Sequence, residues 1–136
     1  MPRILYAEDN PDTAKIVRFF LQGMRNAEVT MCRDGAEALD ALAVVMPDVV
    51  VLDAQMPKVD GLMVLEAMRA NPKHAAVPVI FLTSEPSEAF REDCIGRGAQ
   101  AVLTKPFNPR VLVEEVRRQL GARAQEPGKD GSASSS

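Results

Sequence analysis

Along the chain, five short runs of strand-type residues alternate with five longer stretches whose apolar positions recur every three or four residues. The clearest run is Val49-Val50-Val51-Leu52, uninterrupted, mostly β-branched, and stopped by the carboxylate of Asp53. Such a run is what a parallel strand covered on both faces requires. Arg3 to Ala7, Glu28 to Cys32, Pro78 to Thr83 and Ala101 to Thr104 read as four more strands. Between them, Ala14, Val17, Leu21 and Met24, with Phe20 alongside, predict a first helix that Gly23 and Asn26 end. Leu39, Leu42 and Met46 carry a second helix to Pro47, and Leu62, Leu65 and Met68 a third that closes at Asn71-Pro72. Ser87 to Arg97, with Phe90 and Cys94 one turn apart and Gly98 as its stop, gives a fourth. Leu112, Val116 and Leu120 line a fifth up to Gly121.

The starts of these helices carry their own signals. Asn10-Pro11 and Asn108-Pro109 pair a capping side chain with a proline whose missing N–H costs nothing in a first turn. Asp34 with Glu37 three positions on is a capping-box variant, and Asp60-Gly61 opens the third helix. These caps are structural. Strands and helices alternating with short connections predict an α/β fold, (βα)5, with a parallel sheet, right-handed crossovers and helices on both faces. The expected strand order is the flavodoxin-like 2-1-3-4-5. The domain is expected over residues 1–121. Residues 122–136 are small and polar and are expected to form a disordered tail or linker.

In a parallel sheet the carboxyl ends of all strands share one rim, where ligands bind. Here they deliver Glu8-Asp9, Asp53, Thr83 and Lys105. With strands one and three adjacent, Asp53 faces Glu8 and Asp9, and Thr83 and Lys105 lie on its other side. Two like charges ~4 Å apart repel by about 1 kcal/mol in water and about 4 kcal/mol at a protein surface. One lysine does not balance three acids. A hard divalent cation does, and Mg²⁺ suits a few carboxylates, a carbonyl (that of Gln55 is placed for it) and retained waters. Thr83 and Lys105 offer a hydroxyl and an ammonium to phosphoryl oxygens, and a carboxylate can itself be the nucleophile. The residues describe a metal-assisted phosphoryl acceptor, with Asp53 as the acceptor.

Composition narrows the alternatives. A net charge of −3 excludes the basic excess of a general nucleic-acid binder. No apolar run reaches membrane-spanning length and the start lacks a secretory leader, so a cytoplasmic protein is expected. Cys32 and Cys94 lack metal-ligand spacing and read as reduced thiols. His74 lies in a polar stretch and reads as solvated. The seven methionines sit at scattered core positions as gap fillers.

Taken together, LYAEDN with its acidic pair, VVVLDAQMPKVDG with Asp53, Met56-Pro57 and Gly61, FLTS with Thr83, and LTKPF with Lys105-Pro106 resemble the receiver domain of two-component response regulators. The resemblance covers nearly all of residues 2–121, and the order and spacing of its pieces are highly specific. It implies that Asp9 binds Mg²⁺ directly, Glu8 mainly through water, and that Asp53 takes phosphate from a sensor histidine kinase or a histidine phosphotransfer protein. Thr83 and Lys105 would hold the phosphoryl group and shift the fourth helix, fifth strand and fifth helix, altering the binding of a downstream protein or output domain. It further implies a cis Lys105-Pro106 bond, a monomer or phosphorylation-dependent dimer, and no turnover of a separate substrate. Two positions depart from the pattern: Val102 stands where Tyr or Phe is usual, and Ser84 where alanine is common. A stiff valine cannot swing as an aromatic ring does, which keeps a pseudo-receiver, signalling without phosphorylation, as the alternative.

One other reading is discarded on the residues and two are disfavoured by them. The stretch Gly96-Arg97-Gly98-Ala99-Gln100-Ala101 matches a dinucleotide fingerprint in letters but ends a helix and precedes a strand, the reverse of what is needed. An FMN binder would need phosphate donors where Glu8 and Asp9 stand. An aspartate-based phosphatase would place its nucleophile on the first strand with a second Asp two residues on, and Glu8-Asp9-Asn10 does not.

Overall fold

The β-branched runs form strands and the three-to-four periodicities form helices, in strict alternation. The structure is a computed structural model and describes residues 2–85 and 87–124. In chain order the elements are β1 (Arg3–Ala7), α1 (Pro11–Gln22), β2 (Glu28–Cys32), α2 (Gly35–Leu42), β3 (Val49–Asp53), α3 (Gly61–Ala70), β4 (Val79–Thr83), α4 (Glu88–Gly96), β5 (Ala101–Thr104) and α5 (Pro109–Ala124). The strands make one sheet in the order β2-β1-β3-β4-β5, every pair parallel. This is the expected doubly wound arrangement. Strand order reverses between β1 and β3, where Ala7 lies beside Leu52.

Successive residues of a strand face opposite sides, so one sheet feeds two cores. Leu5, Ala7, Val50, Leu52 and Phe81 face α2, α3 and α4, joined by Ala38, Val64, Leu65, Met68 and Cys94. Ile4, Tyr6, Val49, Val51, Ile80 and Leu82 face α1 and α5, joined by Val17, Leu21, Leu112 and Val116. All five residues of β3 and of β4 are buried, which is why their sequences are apolar up to the closing Asp53 and Thr83.

The caps behave as their sequences predict. Asn10 accepts from the N–H groups of Asp12 and Thr13, Asp34 from Glu37, Asp60 from Met63 and Ser87 from Phe90. Gly98 adopts φ +112°, the left-handed conformation that stops α4. Gly61 has a different reason to be glycine. A Cβ there would lie 2.7 Å from the Asp53 carbonyl oxygen and 3.0 Å from Ala54 Cα, so α3 can begin directly against the end of β3. Gly61→Ala is therefore expected to destabilise the domain by about 2 kcal/mol, the usual cost of overpacking against a backbone that cannot yield. Urea unfolding checks it.

Three local expectations are corrected. The second helix stops at Leu42, not at Pro47, and Met46 is exposed. Val44 and Val45 are β-branched and poor helix formers, and Pro47 drives its predecessor out of the helical region, so the chain turns early toward β3. Gly121 lies inside α5, which runs on to Ala124. A single interior glycine costs only about 1 kcal/mol against alanine. His74 is buried rather than solvated: turns closed by His74 N–H on Asn71 and Val77 N–H on His74 fold the segment inward, and its Nε2 has no partner among the described residues. Both cysteines are buried and unpaired. Residues 125–136, most of the expected tail, lie outside the described residues. Among those described, no helix is long and apolar enough to cross a membrane.

Candidate functional site

At the switch point between β1 and β3, the carboxyl ends of four strands bring their polar residues together. Glu8 follows β1 immediately, and its N–H is held by the Cys32 carbonyl at 3.0 Å. Its side chain is buried, and Oε1 accepts a hydrogen bond from the Tyr6 hydroxyl at 3.2 Å. Asn10 N–H donates to Oε2 at 3.3 Å. Asp53 ends β3 with a carboxylate that is also buried, and Gln55 N–H donates to its Oδ1 at 3.2 Å. Asp9 stays exposed, yet one carboxylate oxygen from each of Glu8, Asp9 and Asp53 falls within 4.8 Å of the others.

Lys105 is carried over from the loop after β5, whose N–H bonds the Thr83 carbonyl. Its ammonium donates to Asp53 Oδ2 at 3.1 Å and to both Glu8 oxygens at 3.3 Å. The Lys105-Pro106 peptide bond is cis. Lys105 is, among the described residues, the one cation paired with either buried carboxylate.

This charge balance shows in the acidities. Burial, then the hydrogen bonding and charge of Glu8, push the Asp53 carboxyl up to about 6, against the opposing pull of Lys105. Burial works to lower the Lys105 ammonium, but Asp53 and Glu8 outweigh it and the net shift is upward. Tyr6 is driven well above the usual phenol range, first by burial and then by Glu8. The site carries more negative charge than its lysine neutralises, and the donors are hard carboxylate oxygens. That donor set fits a small divalent cation such as Mg²⁺.

Thr83 closes β4, fully buried, opposite Thr104 of β5. Its hydroxyl lies against the Gln55 side chain, with Nε2 at 3.0 Å and Oε1 at 3.3 Å, and accepts the Glu85 N–H at 2.9 Å. Val102 is buried in β5 beside Phe81, and its carbonyl accepts from Arg91 of α4 at 2.8 Å. Ser84 is exposed, and its N–H reaches Gln55 Oε1 at 3.4 Å. The sequence-derived residues thus meet at one rim. Two partners were missed. Tyr6 was legible, because it stands two residues before Glu8 and a strand puts such residues on one face. The Gln55 side chain was not, because nothing in a loop sequence says which way an amide will turn.

Five parallel strands with an acid-rich pocket at their switch point, one lysine and one hydroxyl define the receiver class of fold and site. Residues 4–117 match the family model of the response regulator receiver domain, and the chain belongs to that family. It is 34% identical over 131 residues to response regulator Rre1 of Synechocystis sp., covering 96% of this chain and 56% of that protein. The chain thus spans about half the length of this relative. Among solved structures it is similar to the chemotaxis response regulator CheY4 of Vibrio cholerae, at 30% identity and TM-score 0.81, covering 88% of this chain and 98% of the other. It is also similar to the receiver domain of sensor histidine kinase PA1611 from Pseudomonas aeruginosa, at 29% identity and TM-score 0.80, with 88% and 98% covered. That structure has a magnesium ion coordinated in its active site cleft.

Proposed function

We propose that Asp53 accepts a phosphoryl group from a phosphohistidine of a sensor kinase or phosphotransfer protein in the cytoplasm, and that the modified domain changes its binding to a downstream protein. The observation that carries this reading is a buried carboxylate held between two further acids and a lysine at the switch point. An Asp53 oxygen attacks phosphorus as the P–N bond breaks, and the bond's electron pair returns to the imidazole nitrogen. Lys105, already donating to Asp53, is in place to donate to a phosphoryl oxygen. Glu8, Asp9, Asp53 and the Gln55 carbonyl are the residues that would hold Mg²⁺, which supplies positive charge against the crowded carboxylates and the incoming phosphoryl oxygens. The domain takes part in its own phosphorylation and does not turn over a separate substrate.

The test is intact mass after incubation with Mg²⁺ and acetyl phosphate. One phosphoryl adduct is expected on the unsubstituted protein and none on Asp53→Asn. An adduct of equal yield on the variant would overturn the assignment. Asp9→Ala is expected to weaken Mg²⁺ binding at least about tenfold, since removing a carboxylate ligand removes both a bond and a charge. Calorimetric titration measures this, and unchanged affinity would take Asp9 out of the metal site. A second reading, interaction without phosphorylation, rests on Val102, buried where a swinging aromatic is usual. It gains if Mg²⁺ binds and no adduct forms with either acetyl phosphate or a kinase.

A further inference from the structure

The Gln55 side chain has no part in the scheme above, which uses only its backbone carbonyl. It nevertheless touches the Thr83 hydroxyl with both of its polar atoms. A hydroxyl owns one hydrogen and two lone pairs. The Thr83 hydroxyl accepts Glu85 N–H at 2.9 Å and lies within hydrogen-bond reach of both ends of the Gln55 carboxamide, with Nε2 at 3.0 Å and Oε1 at 3.3 Å. The same Oε1 accepts the Ser84 N–H at 3.4 Å. Phosphoryl oxygens only accept hydrogen bonds. In the resting arrangement the Thr83 hydroxyl is engaged by the Gln55 carboxamide and Glu85 N–H rather than turned toward the acceptor.

We infer that the Gln55 carboxamide is a latch that holds Thr83 and the start of the β4–α4 loop in the resting arrangement, and so sets the threshold for switching. Gln55 is thereby a positioning residue, acting through Thr83. Two features of its surroundings make it suited to this. Its N–H is tied to Asp53 Oδ1 at 3.2 Å, so the latch is anchored to the acceptor itself. Its side chain is exposed, so once Thr83 leaves, water can satisfy the freed amide and release costs only the net value of the contact. Phosphorylation of Asp53 and release of Thr83 are then coupled through one residue, independent of any aromatic at position 102.

This inference rests on the phosphoryl-acceptor reading, and its test separates the two. Beryllofluoride with Mg²⁺ serves as the probe, its affinity measured by fluorine NMR for the unsubstituted protein, Gln55→Met, Thr83→Val and the double variant. Gln55→Met keeps the length of an exposed side chain and removes both amide contacts. It is expected to bind the probe about three- to tenfold more tightly, the fold-change equivalent of one net hydrogen bond. In the Thr83→Val background the same change should alter affinity less than about twofold, since no hydroxyl remains to hold. In the metal-free Gln55→Met protein, the Thr83 methyl resonance should move toward its beryllofluoride-bound position. Equal affinities for unsubstituted protein and Gln55→Met, or the same gain with and without the Thr83 hydroxyl, would overturn the latch alone. No adduct on the unsubstituted protein would overturn the acceptor reading and the threshold role with it.

Discussion

Lys105→Met is expected to destabilise the metal-free domain by about 3 kcal/mol at neutral pH, because removing one partner of a buried ion pair leaves the other uncompensated. Here it leaves two. Glu8 and Asp53 are almost fully enclosed, and the Lys105 ammonium reaches both within 3.3 Å. Methionine keeps the length and the apolar stem, so the loss reports the charge. The loss should shrink as the pH falls through 6, where Asp53 of the unsubstituted protein takes up a proton and no longer draws on the ammonium. Adding Mg²⁺ should restore much of the stability, because a bound cation stabilises the folded state in proportion to its occupancy. Urea unfolding in chelator and in Mg²⁺, across pH, measures all three effects. A loss that is the same at every pH and untouched by Mg²⁺ would mean that Lys105 matters through packing.

Asp53→Asn is expected to act in the opposite direction, although it removes the other half of the same ion pair. The folded-state pKa of about 6 lies above the ordinary 3.8. The folded protein therefore holds this proton more tightly than the unfolded chain. The stability this confers is fully present below the unfolded value and is lost as pH rises through 6. At neutral pH the ionised Asp53 is a net burden on the metal-free fold. Replacing it with asparagine should stabilise the domain by about 1–2 kcal/mol in chelator, the size expected of such a shift after allowance for relaxation. The gain should fade as the pH is lowered toward 3.8. It should also narrow when Mg²⁺ is added, since the unsubstituted protein binds the cation more tightly. Destabilisation by both Lys105→Met and Asp53→Asn in chelator would show that the ion pair outweighs the crowding of acids. The charge argument for a metal would then fail.

Both expected results are those of a site strained by charge when metal-free, which a bound cation would relieve. That is a property of function rather than of folding, and it is imposed on a scaffold that tolerates it. The two cores on either side of the sheet contain only apolar side chains around β3 and β4, so the cost is confined to the rim.

Much of this was legible in the chain itself. Apolar runs buried on both faces, helical periodicities and side-chain caps are local or short-range signals, and they specified the ten elements and the rim to which Glu8, Asp9, Asp53, Thr83 and Lys105 belong. Ends of elements were less legible where a weak local signal met a competing one. Gly121 reads as a stop but costs too little to be one. The stretch Val44 to Pro47 reads as helix by its methionine yet lacks residues that sustain it. What only the tertiary structure decided were contacts between residues far apart in sequence. Thr83 and Gln55 are 28 positions apart and Lys105 and Glu8 are 97 apart. The orientation of the Gln55 amide, the burial of His74 and the balance of charge around Asp53 depend on which surfaces the folded sheet brings together. Periodicity fixes the face on which a side chain lies, whereas its hydrogen-bond partner is set by a neighbour that the local sequence does not contain.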